Sequence, residues 1–331
     1  MRLALIGAGR IGKVHAQAID AHPDARLVAV ADYHIAAAEA LAQQFGARVI
    51  DAEAAFEDAE VDAILIASST PTHADYLERA ARSGKAVLCE KPIALDLART
   101  GEALQVLEAH PVTCALGFNR RHDPQFASLK RAVVEGRIGE LETLTIISRD
   151  PAPPPAEYVA ASGGLFRDMM IHDFDMARWL LDEPITHVQA TGSCLIDPAI
   201  GEAGDVDTAM VTLTTASGRL CHINNSRRAC YGYDQRIEAF GSAGMLEAQN
   251  ETATRLRFTG EGGQVEEKPH WFFLERYAAA YAREIDDFVT AWKEQRSPLT
   301  DATDGLEALR LAEAAVRSLE EGRRIALADI H

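Results

Sequence analysis

RLALIGAGRIGKVHAQAIDAH, residues 2–22, decides the fold. Arg2–Ile6 is a short apolar run, Gly7-Ala8-Gly9-Arg10-Ile11-Gly12 follows, and a helical pattern continues to about His22. This is G-x-G-x-x-G in the context that gives it meaning, with a strand before it and a helix after it. The first glycine permits the tight turn, the second lets a pyrophosphate approach the backbone, and the third lets the helix pack close to the strand. The helix N-terminus offers free N–H groups and partial positive charge to the phosphates. A second strand, Leu27–Ala31, ends in Asp32, twenty positions after Gly12. A carboxylate there binds the ribose hydroxyls of NAD and repels the 2′-phosphate of NADP. The next residue is Tyr33 rather than arginine, so nothing adjacent accepts that phosphate. Gly7, Gly9, Arg10, Ile11, Gly12, Asp32 and Tyr33 are therefore candidate NAD contacts.

Working outward, strand and helix patterns alternate. A helix is expected over Ile35–Phe45, strands over Arg48–Ile50, Ala63–Ala67, Ala86–Cys89 and Val112–Phe118, and a helix capped by Asp96 runs to about Glu108. Repeated βα units imply a doubly wound parallel sheet, with ligands at the carboxyl ends of its strands. Ser69, Thr70, His73, Glu90 and Lys91 fall at such ends and join the candidate cofactor contacts. After Arg120 the pattern changes. A helix over Asp123–Glu135 is followed by strand-like segments at Leu141–Ser148, His187–Leu195, Thr208–Thr215, Leu220–Arg227, Gln235–Phe240, Met245–Ala248 and Arg255–Phe258. Several alternate apolar and polar residues between short turns, which predicts a mostly antiparallel sheet with one covered face. Two helices, Leu274–Lys293 and Thr303–Glu320, close the chain. The expected class is α/β: a Rossmann domain over 1–120 and an α+β domain on a large open sheet over 121–331. The proline-rich segment 150–155 reads as a stiff loop.

Within the second half, Ser162–Leu181 reads SGGLFRDMMIHDFDMARWLL. Taken as one helix opened by two glycines, it is too apolar for a solvated surface. Yet Asp168, His172 and Asp175 stand at i, i+4 and i+7 and share a face. Such groups are costly in an apolar segment unless paired or working. A carboxylate beside a histidine holds one imidazole tautomer, as a general base requires. A satisfied core His–Asp pair fits the same residues.

The chain has 331 residues and a formal net charge of −17, with 47% hydrophobic and 25% charged residues. The charge opposes nucleic acid or an anionic membrane as partner. No apolar run approaches the ~18 residues of a spanning helix. The N-terminal apolar run is too short for a signal peptide, and five scattered cysteines without a CxxC pair fit a reducing cytoplasm. Metal chemistry through Asp168 and His172 would need three or four protein ligands, and neither clustered cysteines nor HExxH is present.

GAGRIGKVHA, CEKPI, GFNRRHDP, GGLFRDMMIHDFDMARWL and YGYDQRIEAFGSAGM together resemble the Gfo/Idh/MocA oxidoreductases, in that family's order and along nearly the whole chain. The resemblance implies that the catalytic lysine is Lys91, the aspartate Asp168 and the histidine His172. It also implies a homotetramer. Asp175 matches a polyol-contacting position, and Tyr233 and Arg121 are further candidate substrate contacts. The likeness is greatest to the inositol-oxidising branch. The expected reaction is therefore NAD-dependent oxidation of myo-inositol to the 2-keto inositol, with no metal. A related dehydrogenase of another inositol isomer or sugar, and a non-catalytic NAD-sensing regulator, are the alternatives.

Overall fold

The computed structural model covers residues 1–331, with the side chains of Ala156 and Ala160 outside the described set. The chain forms two compact units. One is Met1–Asp123 with Ala279–Leu309, and the other is Pro124–Ala278 with Arg310–His331.

The first unit is built on six parallel strands: β1 (Arg2–Ile6), β2 (Arg26–Ala31), β3 (Arg48–Val49), β4 (Ala63–Ile66), β5 (Ala86–Cys89) and β6 (Cys114–Leu116). Their order is β3-β2-β1-β4-β5-β6. Chain direction of travel reverses between β1 and β4, which creates the crevice where doubly wound sheets bind ligands. Every residue of β4 and β5 is buried, as expected of strands covered on both faces. Leu5, Leu65 and Leu88 share a core with Ile285, Phe288 and Val289. Those last three belong to the helix Ala278–Glu294. A linear cut at residue 120 thus separates residues that occupy one core.

The second unit is built on a seven-stranded sheet of β7 (Leu141–Arg149), β8 (Ile185–Ser193), β9 (Thr208–Thr215), β10 (Leu220–Ser226), β11 (Asp234–Gly241), β12 (Gly244–Ala248) and, after the separate exposed hairpin β13 (Arg257–Gly260) and β14 (Gly263–Glu266), β15 (Ile325–Ala326). The order is β12-β11-β7-β10-β9-β8-β15. All pairs are antiparallel except β7 with β10. Side chains alternate along β10, with Cys221, Ile223 and Asn225 buried and Leu220 exposed. Asn225 Nδ2 donates to Asp173 Oδ2 at 2.9 Å, both groups buried, which anchors the helix Ile171–Leu181 on the covered face.

The stretch after Ser162 is not one uniform helix. A short helix, Ala156–Ser162, ends at Gly163, and a π-helical turn spans Leu165–Met169 before the α-helix Ile171–Leu181 begins. Met170 N donates to Leu165 O at 2.9 Å, an i→i−5 bond. Asp168 lies within this wider turn and His172 in the α-helix beyond it, so a constant 3.6-residue period does not relate them. The expected helix over Leu274–Lys293 is likewise divided, into Phe273–Arg276 and Ala278–Glu294.

Candidate active site

The three glycines of the first turn do three separate jobs. Gly7 has φ +107, and a Cβ there would lie 2.3 Å from Ala67 O. A Cβ on Gly12 would meet Gly7 O at 1.9 Å. A Cβ on Gly9 would meet nothing within 4 Å, although Gly9 stands at the start of the helix Arg10–Ala21. That open space lies beside the first helical N–H groups, those of Arg10, Ile11 and Gly12, which no carbonyl of the helix can reach. It fits a pyrophosphate. Asp32 closes the end of β2: Oδ2 accepts from Ala8 N at 2.6 Å and Oδ1 from His34 N at 2.7 Å. Its carboxylate is thereby fixed against the glycine turn. Tyr33 is 95% exposed, its ring edge-on to His34.

The loops after β4 and β5 are tied together by His73. Its Nδ1 lies 2.8 Å from Pro92 O and its Nε2 3.1 Å from Ser68 O, and the residue is buried. Ser69 and Thr70 form the start of a 3₁₀ turn, where Thr72 Oγ1 donates to Ser69 O at 2.8 Å. Glu90 is held from two sides. Its Oε1 lies 2.7 Å from Nε2 of fully buried His15, and a Cβ on Gly117 would fall 2.7 Å from Oε2. Burial, and then the Glu90 charge, pushes the Glu284 carboxyl well above the usual carboxylate range. Lys91, between Glu90 and a cis-linked Pro92, is partly exposed. Arg121 is buried, with Nη2 donating to Asp304 Oδ1 at 2.7 Å and Nη1 to Leu299 O at 3.2 Å.

In the second unit, Asp168 sits in the π-helical turn and His172 at the head of the following helix, both partly buried. Tyr158 OH donates to Asp168 Oδ1 at 3.2 Å. Lost hydration, and then the Asp168 charge, pushes the Tyr158 hydroxyl up, so it remains a donor across the physiological range. Asp175 is 1% exposed. Tyr233 is also buried, its ring edge-on to Tyr277 with centroids 5.9 Å apart.

The family models divide the chain as the geometry does. Residues 1–118 match the oxidoreductase family NAD-binding Rossmann fold, and 126–247 match the GFO/IDH/MocA C-terminal domain. An inositol 2-dehydrogenase of Rhizobium meliloti is 51% identical over 99% of both chains. The chain belongs to the GFO/IDH/MocA oxidoreductase family. A myo-inositol 2-dehydrogenase of Thermotoga maritima is 44% identical over 100% of this chain and 99% of its own. A solved scyllo-inositol dehydrogenase of Lactobacillus casei, with bound NAD(H) and scyllo-inositol, superposes with a TM-score of 0.92 at 30% identity, over 99% of both chains.

GFO/IDH/MocA membership makes this an NAD-dependent oxidoreductase. The geometry adds residues that motif reading passed over. His15, Glu284 and Gly117 surround Glu90, Tyr158 and Arg227 stand beside Asp168, and Asp205 meets the far side of Arg227. Glu284 carried a signal, an acid on the apolar side of a helix. Arg227 and Asp205 carried none, because each reads as an ordinary charge at the end of a strand or loop.

Proposed function

We propose that this protein oxidises myo-inositol to the 2-keto inositol, with Lys91, Asp168 and His172 as its catalytic residues. The observation that carries the reading is 51% identity along 99% of both chains with a protein named inositol 2-dehydrogenase. When bound, NAD⁺ supplies the hydride acceptor. The Gly7–Gly12 turn and the helix behind it would hold the pyrophosphate, and Asp32 would take the adenine ribose hydroxyls. His172, as a neutral imidazole, removes the hydroxyl proton at a ring nitrogen as the carbon loses hydride. Lys91 Nζ donates to the same oxygen and stabilises the developing alkoxide. Asp168, braced by Tyr158, orients the imidazole. Asp175, Arg121 and Tyr233 remain candidate polyol contacts, and Ser69, Thr70, His73 and Glu90 candidate shapers of the cofactor site.

The test is a set of initial rates on myo-, scyllo- and D-chiro-inositol and glucose, each with NAD⁺ and NADP⁺. The highest kcat/KM is expected for myo-inositol with NAD⁺, and turnover of none of the four overturns the reading. The relative that holds scyllo-inositol supports oxidation of that isomer as the second reading, and the same rates separate the two. His172→Ala is expected to lose ~10²-fold or more in kcat while NAD⁺ binding, read by fluorescence titration, stays near wild type.

Assembly as a homotetramer is part of the proposal. On the face of the sheet opposite the core, Leu220, Thr143, Phe240 and Met245 pair across β10, β7, β11 and β12. Leu220, Phe240 and Met245 are 44%, 45% and 52% exposed. An apolar row of this kind supports burial against another copy. Sedimentation at four times 35.9 kDa is the expected result, and sedimentation as a single chain removes the tetramer from the reading. The five free cysteines support a cytoplasmic setting. Among the described residues, no helix is long and apolar enough to cross a membrane.

A further inference from the structure

Arg227 is 1% exposed, and its Nε and Nη2 have no hydrogen-bond partner among the described residues. Its nearest counter-charges are two carboxylates. Nη1 lies 3.9 Å from Asp168 Oδ2 and Nη2 lies 4.0 Å from Asp205 Oδ2. Both distances exceed hydrogen-bond length, so the attraction is that of charges in a poorly solvated setting. A guanidinium buried with unsatisfied donors is a poor stabiliser, and an apolar side chain of similar volume usually replaces such a group without loss. Its presence calls for a role other than stability.

The two carboxylates stand near opposite ends of one short element. Asp205 accepts from Leu165 N at 2.9 and 3.2 Å, which fixes the first residue of the π-helical turn. A Cβ on the preceding Gly164 would lie 2.7 Å from Asp205 Oδ1, so the carboxylate is seated directly on the backbone. Asp168 is the fourth residue of that turn, and Tyr158 OH holds its Oδ1. Arg227 faces the other oxygen, Oδ2. Its own backbone is pinned, with N donating to Asp207 O at 2.8 Å. Asp207 is in turn buried and accepts from Leu195, Ile196 and Asp197 N. The guanidinium therefore starts from a rigid base and spans the turn that carries Asp168.

We infer that Arg227 is a positioning residue of the oxidation, clamping Asp168 and Asp205 so that the Asp168 carboxylate stays aimed at its catalytic partner. The inference rests on the role proposed for Asp168. On this inference Arg227 acts on the reaction through Asp168 and is not itself a catalytic residue. Misplacement of a catalytic group by about 1 Å can cost ~10²-fold in rate.

The test measures kcat and both KM values for wild type, Arg227→Gln and Arg227→Lys, each with and without Asp168→Asn. Arg227→Gln is expected to lower kcat for myo-inositol by ~10- to 100-fold with the KM for NAD⁺ unchanged, and Arg227→Lys to recover most of it. In the Asp168→Asn background the Arg227→Gln loss is expected to vanish, as for residues that act as one unit. Wild-type kcat in Arg227→Gln, or the same fold loss in both backgrounds, overturns the inference. Should Arg227→Gln fail to fold by circular dichroism, Arg227→Met, an uncharged replacement of similar length, decides. A kcat loss confined to the background with Asp168 supports the clamp, and no loss or equal losses overturn it. A wild-type protein that oxidises no polyol overturns the proposed function, and the inference with it. An active wild type with an indifferent Arg227 overturns the inference alone.

Discussion

Gly9 and Gly12 lie three residues apart in one turn and respond to a methyl group in opposite ways. The methyl of Gly12→Ala would sit 1.9 Å from Gly7 O, so the helix must shift off the strand, and loss of folded protein at 37 °C is the expected outcome in circular dichroism. The methyl of Gly9→Ala meets no protein atom within 4 Å. Its thermal midpoint is expected to stay near wild type, while the KM for NAD⁺ rises because the methyl occupies the phosphate's space. Equal effects of the two changes on stability would contradict these separate roles. The tight turn at Gly7 and the close packing at Gly12 were legible because they follow from local spacing. So was the place of Asp32 at the end of the second strand, although its bonds to Ala8 N and His34 N were not. The surroundings of Asp168 were not legible, since Tyr158 and Arg227 reach it from 10 and 59 positions away along the chain and announce no spacing.

At the level of elements, periodicity located the regular pieces and missed the irregular ones. The helix Ile35–Phe45 and strand β9 have the ends that their patterns predict. Asp96 does cap the helix Leu97–Ala109, its Oδ1 accepting from Arg99 N at 2.8 Å. Asp96→Ala is expected to cost about 1 kcal/mol in urea unfolding. The turn Leu165–Met169 was read as ordinary helix, because a π-helical turn has the same composition and differs only in where its backbone bonds close. The pairing of Asn225 with Asp173 belongs to this scale, since it fastens a helix to a strand. Asn225→Ala leaves a buried carboxyl short of a donor and is expected to cost about 1–3 kcal/mol, read as a lower urea midpoint with an unchanged slope.

For the whole molecule, acid sensitivity has an identifiable source. Burial pushes His122 down to about 4, the Arg121 charge adds to this, and Asp287 opposes it. A histidine lowered in the folded state leaves the unfolded chain binding the extra proton, so its contribution is complete above the unfolded value of about 6.5 and is lost as pH falls toward 4. That interval corresponds to about 3 kcal/mol at most. The thermal midpoint is expected to fall between pH 6.5 and 4, and the fall should shrink in His122→Gln; an identical fall in both proteins would acquit His122. The return of the helix Ala278–Glu294 to the core of the first sheet has a consequence for biosynthesis. The ribosome delivers all six strands of that sheet by Leu116, yet Ile285, Phe288 and Val289 emerge some 170 residues later. Until then the nascent nucleotide-binding half carries an uncovered apolar face, a natural foothold for chaperones. A fragment ending at Asp123 is expected to bind hydrophobic dyes and aggregate, however complete its glycine fingerprint.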